Sequence, residues 1–182
     1  MAFDRRKLLE IFDVLGKSLT TPTTICLIGS SPGIASGQPE RQTPDMDVWR
    51  DQSKYDDTAF RKACEDAGML FDPRGEVDPD AIYVQVIRRG VVNLPKEFDV
   101  EVVGEFGNLR VVMPAPNLLV AAKLVRGSPR DVEDAVWWMQ ERALKTEDIR
   151  EAIGHLPDPS QREAASENIV LVGLIDSTWS PT

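Results

Sequence analysis

The chain has 182 residues, with 30 acidic and 21 basic side chains and a formal net charge of −9. This length suits a single domain, or a sheet-containing core with a helical appendage, and is enough to bury a proper core. The acidic balance argues against a broad nucleic-acid surface, because neutralising phosphates needs a basic face. Only local basic patches remain, at Arg88 with Arg89 or at Lys123 with Arg126 and Arg130. No charged leader with an apolar segment opens the chain, and no apolar run reaches membrane-spanning length. The two cysteines, Cys26 and Cys64, lack metal-type spacing and sit in apolar segments, as buried thiols of a reducing compartment do. A soluble cytoplasmic protein is the expectation.

In chain order, residues 4–19 place Leu8, Phe12, Leu15 and Leu19 at helical spacing. Residues 23–28 read as a buried strand, closed by Gly29 and Ser30. Ser31, Pro32, Gly33 and Gly37 then interrupt the chain before a second strand at 45–49. Residues 57–70 have a helical period in Phe60, Cys64, Ala67 and Leu70, with Gly68 and Pro73 near the stop. Turn chemistry follows at Asp72-Pro73-Arg74-Gly75 and Asp78-Pro79-Asp80. Residues 82–87 read as a strand. Residues 98–102 alternate, and 109–113 is a strand that pairs with them across 104–108. Beyond Pro116 the pattern is helical, at 118–125, 129–141 and 146–153, the last with Thr146 as N-cap. The apolar tail 169–175 is too short to span a bilayer. It is suited to docking on the core or on a second subunit. The expected class is α+β, with an α/β core at 1–113 and a helical part at 114–182.

Chemistry concentrates in Ile28-Gly29-Ser30 and Asp45-Met46-Asp47-Val48. Alternate strand residues share a face, so Asp45 and Asp47 present two carboxylates together. Two adjacent carboxylates repel unless a cation lies between them, and a divalent metal carrying a nucleoside triphosphate supplies one. The spacing alone is weak: about five acidic-x-acidic pairs are expected by chance in a chain this acidic. Asp78/Asp80, Asp99/Glu101 and Asp131/Glu133 repeat it. What distinguishes the pair at 45 and 47 is the strand ending in Gly29-Ser30, where backbone and hydroxyl can approach a phosphate.

These residues resemble the nucleotidyltransferase fold of the DNA polymerase beta superfamily, whose signature is apolar-Gly-(Gly/Ser), a gap, then acidic-apolar-acidic. The string Arg41-Gln42-Thr43-Pro44-Asp45-Met46-Asp47 is similar to that of bacterial nucleotidyltransferase-like proteins related to abortive-infection (AbiEii-type) toxins. Residues 114–134, with Lys123 on one helix and Asp131 and Asp134 on the next, are similar to their helical part. The resemblance covers most of residues 5–142. It implies a mixed sheet flanked by helices and two Mg²⁺ or Mn²⁺ ions about 3.5–4 Å apart, held by Asp45 and Asp47. It implies nucleotide contacts from Gly29, Ser30, Arg41 and Lys123, and a third catalytic carboxylate on a later strand, for which Asp99 and Glu101 are the candidates. The reaction would move a nucleoside monophosphate to an RNA, protein or small-molecule acceptor, as in a toxin–antitoxin system.

Each residue also has an ordinary role. Asp45 and Asp47 suit a solvated strand edge, and Arg41 an ion pair with one of them. Lys123 suits an amphipathic helix, and Asp131 and Asp134 a helix N-terminus. Trp137 and Trp138 are adjacent on one helix, so one packs inside and the other marks a contact surface. His155, at a helix end after Gly154, has no catalytic role to assign. The competing reading is an inactive member of the same fold that works through a protein partner, an antitoxin-type chain or a second copy.

Overall fold

The computed structural model describes residues 2–176 and is α+β. The chain forms two compact units. The first runs up to Arg88 and adds Asp99–Pro114. The second combines Arg89–Phe98 with the chain from Ala115 onward. The division expected at residue 113 falls within the last strand of the first unit, and the excursion Arg89–Phe98 belongs to the helical side.

In the first unit, helix α1 (Arg5–Ser18) starts at Asp4, whose carboxylate accepts the Lys7 N–H at 2.9 Å, and buries Leu8, Ile11, Phe12 and Leu15. Strand β1 (Thr23–Cys26) leads to helix α2 (Ser31–Ser36) and strand β2 (Asp45–Trp49). The Ser-Pro-Gly segment is therefore a short helix rather than an interruption. Pro32 sits in its first turn, where no N–H is needed, and Gly37 closes it at φ +100°.

After one 3-10 turn at Arg50–Gln52 comes helix α3 (Asp57–Asp66). It stops earlier than its apolar period suggests. Gly68 is left-handed at φ +72°, its N–H bonds Glu65 O at 2.9 Å, and the Met69 N–H bonds Cys64 O at 2.8 Å. That double closure ends the helix and frees Leu70 for strand β3 (Leu70–Phe71). Strands β4 (Tyr83–Ile87), β5 (Val100–Phe106) and β6 (Leu109–Pro114) complete the unit.

One sheet has the order β1-β6-β5, with β1 parallel and β5 antiparallel to β6; a second, all parallel, is β2-β4-β3. An antiparallel bridge between Leu27 and Val48, with Ile28 N–H bonding Asp47 O at 3.0 Å, joins them. Ile25, Leu27, Met46, Val48, Val84, Val86, Leu109 and Val111 all fall in one core cluster with residues of α1 and α3. The strict alternation then turns Asp45, Asp47, Tyr83 and Gln85 to the opposite face.

In the second unit, helix α4 (Pro116–Arg126) packs on α5 (Pro129–Glu141), α6 (Thr146–Gly154) and α7 (Pro159–Asp176). The tail segment is thus part of α7, with Ile169 and Val172 buried and Val170 and Leu174 exposed. Trp138 is buried and Trp137 only partly so; their ring centroids lie 4.8 Å apart with an interplanar angle of 65°. Thr146 is the first helical residue of α6, not its cap. Lys145 is the N-cap, and its N–H is bonded by Asp148 Oδ2 at 2.7 Å. His155 occupies the C-cap. Among the described residues no helix is long and apolar enough to cross a membrane.

Candidate functional site

The turn after β1 and the start of β2 build one polar corner. Gly29 has φ +69°, and a β-carbon placed on it would stand 2.3 Å from Asp47 Oδ2. The Asp47 carboxylate therefore lies against the Gly29 backbone, in space that any other residue would fill. Ser30 follows, and its hydroxyl accepts a bond from Arg41 Nη2 at 2.8 Å. This draws the guanidinium to the same turn. The Asp45 carboxylate accepts the hydroxyl of Thr43, and its carbonyl accepts the Ser31 hydroxyl at 3.4 Å. Gly29, Ser30, Arg41, Asp45 and Asp47 are thus brought together.

The neighbouring strand adds two residues that sequence reasoning missed. In the parallel register Tyr83 is level with Asp45, and Gln85 with Asp47. Tyr83 has its phenol pushed above the usual range, first by burial and then by the negative charges of Asp45 and Asp47. The only sequence signal for either was the period-two pattern of 83–87, which does not say which strand lies beside it.

The register of β5 turns Glu101 to the other face of the sheet. Glu101 pairs with Met113, and Val102 with Val112, which in turn pairs with Cys26. Paired residues share a sheet face. Cys26 and Ile28 lie on the Asp47 side, so Val102 joins that side and Glu101 projects from the other. Asp99, two residues before Glu101, precedes the strand. Among the described residues no group of three or more His, Cys, Asp or Glu side chains is placed to share a metal ion.

Lys123 belongs to the helical unit, where its Nζ lies 2.6 Å from Asp134 Oδ2, the two side chains being 11% and 3% exposed. One turn on, Arg126 grips Asp131 with Nε and Nη2, both at 2.6 Å, and the Ser128 hydroxyl adds a third bond at 2.6 Å. Burial pushes the Asp131 carboxyl up, but the bonds from Arg126 and Ser128 outweigh it and hold the group below its ordinary value. Asp131 and Asp134 are therefore more than dipole partners of a helix start. They clamp α4 to α5, and Ser128 with Asp131 forms a reciprocal capping box.

Chemically, the corner offers two carboxylates on one face, a glycine turn that can approach a ligand, a hydroxyl and a guanidinium. Carboxylate oxygens suit a hard divalent cation, and the arginine and turn suit phosphate. The chain matches no family model, no curated protein and no solved structure.

Proposed function

We propose that this corner binds a nucleoside triphosphate with Mg²⁺ or Mn²⁺ and transfers its nucleoside monophosphate to an acceptor. One observation carries the reading: the Asp47 carboxylate rests on Gly29, with Asp45 on the same face and Arg41 tied to Ser30. Asp45 and Asp47 would hold the cation. Gly29, having no side chain, leaves the room in which the Asp47 carboxylate sits beside the turn, and Ser30 offers its hydroxyl to phosphate. Arg41, positioned by that hydroxyl, offsets phosphate charge. A bound divalent cation would polarise the phosphoryl group and neutralise charge on the departing pyrophosphate. The protein's part is positioning and electrostatics. RNA, protein and small molecules are the acceptor classes to test. A second copy or an antitoxin-type chain is the partner to seek, in a cytoplasm that keeps Cys26 and Cys64 reduced.

A second reading, binding without transfer, draws on Glu101, which projects from the other side of the sheet and leaves two carboxylates on the proposed site. Incubating the chain with each labelled triphosphate, metal, and total RNA or protein separates the two. Label transfer that disappears in Asp45→Asn/Asp47→Asn supports the transferase. Transfer that persists in that variant removes the site from the reaction. A metal-dependent nucleotide shift in melting temperature without label supports binding alone.

A further inference from the structure

The sheet face that carries Asp45 and Asp47 holds one more ordered pair of polar side chains. Gln85 is level with Asp47 on the adjacent parallel strand, roughly 4.8 Å away and on the same face. Asp72 follows β3 with φ +46°, a left-handed conformation that aspartate tolerates better than most residues. Its N–H bonds Val84 O at 2.7 Å, which extends the β3–β4 ladder by one step. Its carboxylate accepts the Val86 N–H at 3.1 Å, Gln85 Nε2 at 3.2 Å and Arg88 Nη2 at 3.3 Å. The order across the face is Asp47, Gln85, Asp72.

That order fixes the Gln85 amide. A carboxylate only accepts, so the nitrogen end must face Asp72 and Oε1 is turned away from it. Asp72 is itself held by backbone and arginine donors, so it sets the amide rather than following it.

We propose that Gln85 supplies the third oxygen of the cation site at Asp45 and Asp47, with Asp72 as the residue that positions it. The inference rests on the nucleotide reading above. Hard cations accept amide oxygens as well as carboxylates. Two carboxylates beside the Arg41 guanidinium leave negative charge for no more than one divalent ion. The chain without nucleotide therefore holds one ion, and any second ion arrives with the charge of the triphosphate.

Mn²⁺ titration of the full chain, with free ion followed by electron paramagnetic resonance, tests this. Wild type is expected to bind one ion, Gln85→Leu to bind roughly tenfold more weakly, and Gln85→Glu more tightly. Asp72→Asn should weaken binding in the wild-type background, because an asparagine can donate to Oε1 and let the amide turn. In the Gln85→Glu background the same change should not weaken binding, because a repelling neighbour is removed. A merely structural role for Asp72 would weaken both backgrounds alike. If Asp45→Asn/Asp47→Asn abolishes binding but Gln85→Leu binds like wild type, Gln85 is no ligand and the nucleotide reading stands. If wild type binds no Mn²⁺ the role of Gln85 falls, while the nucleotide reading, in which the ion enters with the triphosphate, still answers to the label-transfer experiment; if the double aspartate variant binds Mn²⁺ equally, both fall.

Discussion

Asp47 and Gly29 are in contact across the turn that follows β1, with Asp47 Oδ2 only 2.3 Å from where a Gly29 β-carbon would stand. The bridge of Leu27 to Val48 and the Ile28–Asp47 backbone bond at 3.0 Å hold the two strands at this separation. The approach is therefore a property of the sheet, and the absent side chain is what permits it.

Gly29→Ala should cost stability twice over. At φ +69° a non-glycine residue is strained by about 1–2 kcal/mol, and the new methyl must also displace the Asp47 carboxylate. We expect a lower unfolding midpoint in urea. We also expect loss of any stabilisation by Mg²⁺ with a nucleoside triphosphate. A variant that is less stable yet keeps the full nucleotide-dependent shift would separate this turn from ligand binding.

The Lys123–Asp134 pair leads to a different expectation. Both side chains are almost wholly buried, so Lys123→Met takes the ammonium away from a buried carboxylate and should destabilise by roughly 3–5 kcal/mol. Replacing both partners, as Lys123→Met with Asp134→Leu, removes the buried carboxylate along with its ammonium and should recover most of that loss. Denaturant unfolding of the two variants measures both. If Lys123→Met keeps its stability and loses only nucleotide binding, the lysine serves the ligand and not the clamp.

These contrasts show which features could be read from local sequence. The strand at 45–49 and the helix at 129–141 have the expected bounds, because their periodicity and flanking breakers are local. The carboxylate pair was legible for the same reason. Gln85 and Tyr83 were not, since their place beside Asp47 and Asp45 depends on which strand is paired and in which register. The face of Glu101 was also hidden. Alternation in 98–102 suggested an apolar side turned inward, but Val100 and Val102 are 40% and 50% exposed, and β6 sets the orientation. Lys123 and Asp134 are eleven residues apart and meet only because Gly127, at φ +58°, reverses the chain between α4 and α5. A helix-by-helix reading sends both to solvent.

Acid should unfold the protein in part through Asp131. Burial pushes its carboxyl up, and hydrogen bonds from Arg126 and Ser128 overcome this and bring it below the ordinary value. The unfolded chain then binds a proton more readily than the native state. The stabilisation is complete above the unfolded carboxyl pKa, about 3.9, and is lost as pH falls from there through the lower native value. Asp131→Asn should be less stable than wild type at pH 7, and its stability should fall less steeply below pH about 4. Urea midpoints between pH 7 and pH 2 provide the comparison. Parallel profiles would show that Asp131 is not linked to acid unfolding.

Cys26 and Cys64 should be silent toward thiol reagents while the protein is folded. Both are buried, and burial raises each thiol to about 12. For Cys64, Arg61 lowers it somewhat and Glu65 raises it. The thiolate is the reactive form, so at pH 8 neither group has a useful reactive population or an open path for a reagent. A chromogenic disulfide reagent should titrate almost nothing in native buffer and both thiols in guanidinium. The rate of slow native labelling should then follow local or global opening. Rapid native labelling of Cys26, which neighbours Ile28 and the Gly29 turn along β1, would instead show that the first unit opens at the proposed site.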